Sequence, residues 1–82
     1  PEVFMALGDY AYRSVWRHLG DRGFKMPRPR PAFAHGLEVE IPGGPAIVAS
    51  YHPSQQNTFT GRLTEPMFDA VLVRAMELAA AG

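Results

Sequence analysis

Three short segments of the chain carry the apolar patterns that are typical of β-strands. Residues 3–7 form a continuous apolar run that ends at Gly8, which predicts a strand buried on both faces. Residues 37–41 alternate strictly between apolar and acidic side chains and predict a half-exposed strand. Residues 46–51 form a second, mainly apolar run. The turn signal at residues 42–45 predicts that the last two strands form a hairpin.

Two further segments have apolar residues at helical spacing. The first predicted helix spans roughly residues 10–19, with Asp9 as its N-cap and Gly20 as its stop. Its apolar stripe comprises Tyr12, Val15, Trp16 and Leu19. The second predicted helix begins near Glu65, with Thr64 as its cap and Pro66 in its first turn. Its apolar face comprises Met67, Phe68, Val71, Leu72, Ala75, Met76 and Ala79.

The order of these elements, β-α-β-β-α, predicts an α/β fold with helices packed on a mainly parallel sheet. Residues 21–36 separate the first helix from the second strand and form a linker rich in Pro and Arg, which favours an extended path. Two or three strands cannot cover both faces of such a sheet, and the chain enters its first strand without an initiator Met. We therefore expect the C-terminal portion of a larger three-layer α/β/α domain.

Composition narrows the classes of function. The formal net charge is zero, so the chain as a whole offers no field that attracts nucleic acid or a membrane. Residues 17–30 include five basic residues and one acidic residue, Asp21. A solvated loop is the simpler explanation of this local excess of positive charge. The absence of cysteine excludes disulfides and cysteine-ligated clusters on this chain and fits a reducing cytoplasm. The sequence has neither a transmembrane run nor a signal-peptide pattern.

The most informative segment follows the last predicted strand and reads His52-Pro53-Ser54-Gln55-Gln56-Asn57-Thr58-Phe59-Thr60-Gly61-Arg62-Leu63-Thr64. It places one imidazole, several amide and hydroxyl side chains and one guanidinium between a buried strand and a helix. Ligands of open α/β sheets bind at the carboxyl ends of the strands. The segment therefore suits a ligand that carries both a nucleobase and phosphates.

His52 is the first candidate for chemistry. A neutral imidazole at a strand end can donate a hydrogen bond to an oxygen that gains negative charge, whereas a purely structural histidine would bond a backbone carbonyl. Ser54, Gln55, Gln56 and Asn57 can bond phosphate oxygens, although a polar surface loop would contain the same residues. Phe59 is either a loop anchor or a stacking platform, and Arg62 suits a phosphate. His18 and His35 are interpreted as ordinary helix and loop residues.

The string from Tyr51 to Thr64 resembles the C-terminal motif of the uracil-DNA glycosylase superfamily. In its extended form it is most similar to the family 5 (type B) enzymes of bacteria and archaea. The resemblance covers essentially the whole chain, so residues 1–82 are expected to form the C-terminal part of a single glycosylase domain. It implies a DNA repair enzyme that flips uracil, or another deaminated base, out of DNA and hydrolyses its N-glycosidic bond.

The resemblance also implies roles for individual residues. His52 would stabilise the negative charge on the departing base, and Ser54 would contact the phosphate beside the flipped nucleotide. Gln55, Gln56 and Asn57 match the loop that enters the duplex where the base departs. Thr60 and Arg62 are weaker matches to contacts with the DNA backbone.

Two features of the family are missing from this chain. A pocket loop that contains glycine and proline is expected upstream of this chain. Four cysteines that hold a 4Fe-4S cluster in the full-length family are expected there too. No cofactor is expected on this chain. The implied partners are DNA that contains uracil or deaminated bases and the missing N-terminal portion of the same domain. The complete enzyme is expected to be a monomer and to bind no membrane. The 82-residue chain alone is expected to be inactive. Two alternatives stay open: a non-catalytic nucleic-acid-binding fold, and a structural α/β fragment.

Overall fold

The computed structural model describes residues 2–53, 61 and 63–81. In that part the chain forms β1 (Val3–Leu7), α1 (Gly8–Asp21), β2 (Glu38–Glu40), β3 (Ala46–Ser50) and α2 (Glu65–Ala80). The predicted order β-α-β-β-α is confirmed, and each strand ends within one residue of its expected bounds. The protein is therefore an α/β fold.

The strands form one mixed sheet in the order β1-β3-β2. β1 and β3 run parallel, and Leu7 pairs with Ser50 where both strands end. β2 and β3 form the predicted antiparallel hairpin, with Val39 opposite Ile47. The ends of β1 and β3 therefore lie side by side, at what is called here the carboxyl edge of the sheet.

The two helices cover opposite faces of the sheet. Adjacent residues of a strand point to opposite faces, so Ile47 and Val48 of β3 face different sides. Ile47 belongs to the same core cluster as Tyr12 and Leu19 of α1. Val48 instead lines a cavity with Val71 of α2. The sheet is thus the middle layer of the predicted α/β/α arrangement.

β1 is less buried than its apolar run predicts. Among its residues only Ala6 is fully buried, and the others are half-buried. The reason is the strand order, because within the described residues β1 pairs with β3 on one side only. The predicted burial of β1 on both faces is therefore incomplete in this structure.

The bounds of α1 differ from the predicted ones at both ends. Gly8 has a φ of +88°, which allows the chain to pass from β1 directly into the helix. Asp9 lies in the first turn and pairs with Arg13 at 3.6 Å, so it is not the N-cap. Gly20 does not end the helix either. The chain turns away at Gly23, whose φ is +99° and whose N–H donates to the carbonyl of Gly20 at 3.0 Å.

α2 begins as predicted but is buried along a narrower stripe. The Oγ1 atom of Thr64 accepts a hydrogen bond from the N–H of Met67 at 3.3 Å, and Pro66 lies in the first turn. Within the predicted apolar face Val71 is buried, whereas Leu72, Met76 and Ala79 are exposed. The sheet is too narrow in the described part to cover the whole apolar face of α2.

The linker contains no helix or strand between residues 24 and 37, as its prolines predict. It nevertheless packs on α1 instead of running through solvent. The hydroxyl of Tyr12 donates to the carbonyl of Pro31 at 2.7 Å, and Met26 and Phe33 pack against the core cluster. Neither α1 nor α2 is both long and apolar enough to cross a membrane, as judged over the described residues.

Candidate functional site

His52 lies at the carboxyl edge, two residues beyond the end of β3, and is exposed. The strand places it where open α/β sheets bind their ligands. Ser50 is fully buried and Tyr51 is half-buried, so His52 is the first exposed residue after β3. The imidazole is therefore accessible to a ligand that approaches this edge.

Gly8 brings the first residue of α1 against His52. A Cβ atom built on Gly8 would lie 3.4 Å from the Cβ of His52. Leu7, the N-cap of α1, makes no side-chain cap hydrogen bond. The free N–H groups of a helix start carry partial positive charge and favour a negative charge nearby. The start of α1 and the Cβ atom of His52 thus lie close together at the carboxyl edge.

The segment that we call the motif loop, residues 53–63, begins directly after His52 and ends directly before Thr64. Pro53 at its start and Leu63 at its end line one cavity of about 340 Å³, together with Phe68 of α2. Leu63 is buried, and the next residue, Thr64, caps α2. The end of the motif loop is therefore buried in the core, and its start, although exposed, lines the same cavity.

Most of the predicted contact residues belong to the motif loop but lie outside the described residues: Ser54, Gln55, Gln56, Asn57, Phe59, Thr60 and Arg62. Their proposed contacts with DNA stay predictions. Gly61 is described and has a φ of +74°, a conformation that glycine adopts readily.

His35, which the sequence patterns present as an ordinary loop residue, connects three segments at the carboxyl edge. Its Nδ1 atom accepts a hydrogen bond from the backbone N–H of Tyr51 at 3.1 Å, and its Nε2 lies 3.3 Å from the carbonyl of Met67 in α2. Because a backbone N–H can only donate, Nδ1 carries no proton, and Nε2 donates to Met67. His35 is therefore a loop residue, as predicted, but its ring joins the end of β3 to α2. No local pattern could reveal this, since its partners are 16 and 32 residues away.

Aromatic rings extend from α1 to this edge in what we call the aromatic row: Trp16, Tyr12, Phe33, Tyr51 and His35. The centroid distances between successive rings are 5.9, 6.1, 6.3 and 5.0 Å. The last pair, Tyr51 and His35, is stacked. Such contacts add to the stabilisation that comes from burial alone. The row therefore supports the residue that immediately precedes His52.

The phenol of Tyr12, in the middle of the aromatic row, is buried. Burial raises the pKa of Tyr12 above its ordinary value of 10.0; nearby Arg30 opposes this shift, and Asp9 adds to it. The hydroxyl therefore stays protonated and donates to the carbonyl of Pro31.

The chemistry available at this edge is that of an imidazole and a helix start, both of which favour an anion. In the part of the chain that the structure describes, no group of three or more His, Asp or Glu side chains is arranged to hold a metal ion.

No protein-family model matches the chain, but several curated relatives do. It is 43% identical over 77 residues to the type-5 uracil-DNA glycosylase of Mycobacterium bovis and 46% identical over 77 residues to that of Thermus thermophilus. It is 43% identical over 75 residues to the type-5 uracil-DNA glycosylase of Pyrobaculum aerophilum. These matches cover 94%, 94% and 92% of this chain but only 27%, 33% and 30% of the relatives, in their C-terminal part.

Proposed function

Because this chain is homologous to the C-terminal portion of type-5 uracil-DNA glycosylases, we propose that it supplies the leaving-group side and the DNA-contacting loop of such an enzyme. The substrate would be DNA that contains uracil or another deaminated base. The observation that carries the proposal is the exposed His52 at the carboxyl edge, beside the first residue of α1.

In the proposed reaction the bond between C1′ of the sugar and the base nitrogen breaks, and the electron pair leaves with the base. A water molecule adds to C1′ and loses a proton to the solvent, and the departed base anion takes up a proton in turn. His52 donates a hydrogen bond to a carbonyl oxygen of the departing base, where negative charge develops. The start of α1 stabilises the same charge through its partial positive charge.

The base must leave the stack before His52 can reach it, so the proposal includes base flipping. Ser54 contacts the phosphate beside the flipped nucleotide, and Gln55 to Asn57 enter the space left in the duplex. Thr60 and Arg62 contact the DNA backbone. The cavity that Pro53 and Leu63 share supports these assignments, because it brings both ends of the motif loop together next to His52.

A hybrid enzyme tests the proposal. In it, this chain replaces the matched C-terminal segment of the Thermus thermophilus relative. We expect the hybrid to release uracil from a uracil-containing duplex. His52→Ala should lower the single-turnover rate by about 100-fold to 1,000-fold, the usual effect of removing one donor to a developing charge. The affinity for DNA should change little.

His18→Ala is the matched control, because His18 is an exposed histidine on α1 and should have no effect on the rate. A hybrid that folds and binds duplex DNA, yet releases no uracil, would contradict the enzymatic proposal and favour a nucleic-acid-binding fold without chemistry. Salt dependence then separates that fold from a structural fragment. Phosphate contacts release counterions and give a steep fall in affinity with salt, and an inert loop does not.

A further inference from the structure

We propose that His35 and Ser50 form a clamp on Tyr51 that sets the orientation of His52, with His35 as the principal positioning residue. The clamp itself is a feature of the fold, and its effect on uracil excision rests on the function proposed above.

His35 holds the peptide group that precedes Tyr51. The segment before β2 pairs with the end of β3: Gly36 donates to the carbonyl of Ala49 at 2.8 Å, and Ala49 donates to the carbonyl of Leu37 at 2.9 Å. One step further along, the N–H of Tyr51 donates to the side chain of His35. The imidazole therefore continues the backbone ladder past the point where the strand ends.

Ser50 holds the peptide group that follows Tyr51. Its side chain is fully buried, and its Oγ atom donates to the carbonyl of Tyr51 at 2.9 Å. That carbonyl belongs to the peptide that joins Tyr51 to His52. The two peptide planes on either side of Tyr51 are thus each tied to a side chain. With both planes fixed, the N–Cα bond of His52, which lies in the second plane and from which the side chain extends, is fixed as well.

His35 also ties this arrangement to α2. Its Nε2 donates to the carbonyl of Met67, in the first turn of α2, and its ring stacks on Tyr51. The position of the helix that follows the motif loop is thereby linked to the residue that precedes the loop. His35 acts on the site through the backbone of Tyr51 and Met67, so its proposed role is positioning.

Two amide variants test the two hydrogen bonds of His35 separately. In His35→Asn the side-chain oxygen lies near the Nδ1 position and can still accept from Tyr51. In His35→Gln the amide nitrogen lies near the Nε2 position and can donate to Met67, but the bond to Tyr51 is lost. In the hybrid enzyme we expect His35→Gln to lower the single-turnover rate by about 10-fold to 100-fold, as small misplacements of reacting groups do. His35→Asn should keep most of the rate.

The affinity for uracil-containing DNA should stay unchanged in both variants, and Ser50→Ala should lower the rate without weakening DNA binding. His18→Gln is the matched control and should equal the parent hybrid. If His35→Asn is as slow as His35→Gln, and both rates follow thermal stability, His35 is merely structural and the proposal is overturned. Equal, undiminished rates for both variants would overturn it too.

A second measurement needs no activity. In the 82-residue chain, NMR of the imidazole nitrogens should show the proton of His35 on Nε2. The backbone couplings of Tyr51 should be unchanged in His35→Asn and averaged in His35→Gln. Averaging in both variants or in neither would contradict the clamp. If the parent hybrid releases no uracil while these couplings behave as expected, the proposed function fails and the clamp stands.

Discussion

At the scale of single residues, the hydroxyl of Tyr12 joins the linker to α1. It is the donor to the carbonyl of Pro31, and its ring is buried. We expect Tyr12→Phe to lower the free energy of unfolding by about 1 kcal/mol, the usual net value of one such hydrogen bond. Urea unfolding measures this. Tyr10→Phe is the matched control, since Tyr10 is 81% exposed and its substitution should leave stability unchanged.

The same phenol predicts a dependence of stability on alkaline pH. The folded pKa of Tyr12 is raised above 10.0, so the folded state holds this proton more tightly than the unfolded state does. Its contribution is fully present below about pH 10 and is lost as the pH rises through the folded pKa. Unfolding measured from neutral to alkaline pH should show a steeper loss of stability in the parent chain than in Tyr12→Phe. Identical slopes would contradict the assignment to Tyr12.

Single residues also mark the limit of what the sequence can predict. The position of His52 just beyond a strand was predictable, because the apolar run that forms the strand immediately precedes it in the sequence. The role of His35 was not, because its imidazole acquires a role only when folding brings Tyr51 and Met67 to it. A histidine looks the same in a sequence whether its partners are solvent or two distant backbone groups.

At the scale of elements, the start of α1 depends on Gly8. A side chain at its φ of +88° is strained by about 1 to 2 kcal/mol, and a Cβ there would touch His52. Gly43 is the matched control, with a φ of +70° and no atom within 4 Å of a built Cβ. We expect Gly8→Ala and Gly43→Ala to lower stability to a similar degree, and only Gly8→Ala to slow uracil excision by the hybrid. If Gly8→Ala and Gly43→Ala changed the excision rate equally, Gly8 would have no particular role at the site.

The cap of α2 gives a second prediction at this scale. Thr64→Ala removes the acceptor for the N–H of Met67 and should cost about 1 kcal/mol of stability. Thr64→Ser keeps a hydroxyl and should restore most of the loss. Thermal unfolding of the three chains tests this. A loss in the serine variant as large as in the alanine variant would assign the effect to the methyl group and not to the cap.

Elements were predictable to the extent that local rules determine them. The hairpin and the cap by Thr64 follow from residues that are neighbours in sequence, and both were expected. The start of α1 was not, because the positive φ of Gly8 takes the place of the cap expected from Asp9. The exposure of Leu72 and Met76 was not predictable either, since it depends on how wide a sheet lies beneath α2.

At the scale of the whole molecule, the chain spans about a third or less of the length of the curated relatives that it matches. A base-excision pocket needs walls and a positioned water as well as His52. We therefore expect the 82-residue chain alone to release no uracil from a duplex, whereas the hybrid enzyme does. Release by the isolated chain, abolished in His52→Ala, would contradict this expectation and assign the complete pocket to these residues.

Trp16, the single tryptophan of the sequence, stands at the far end of the aromatic row from His35. It is half-buried, and its indole and the ring of Tyr12 form a T-shaped contact. Its emission should therefore act as an intrinsic optical reporter of the packing that leads to Tyr51. Nucleotide binding at the carboxyl edge could then be followed without attaching a dye.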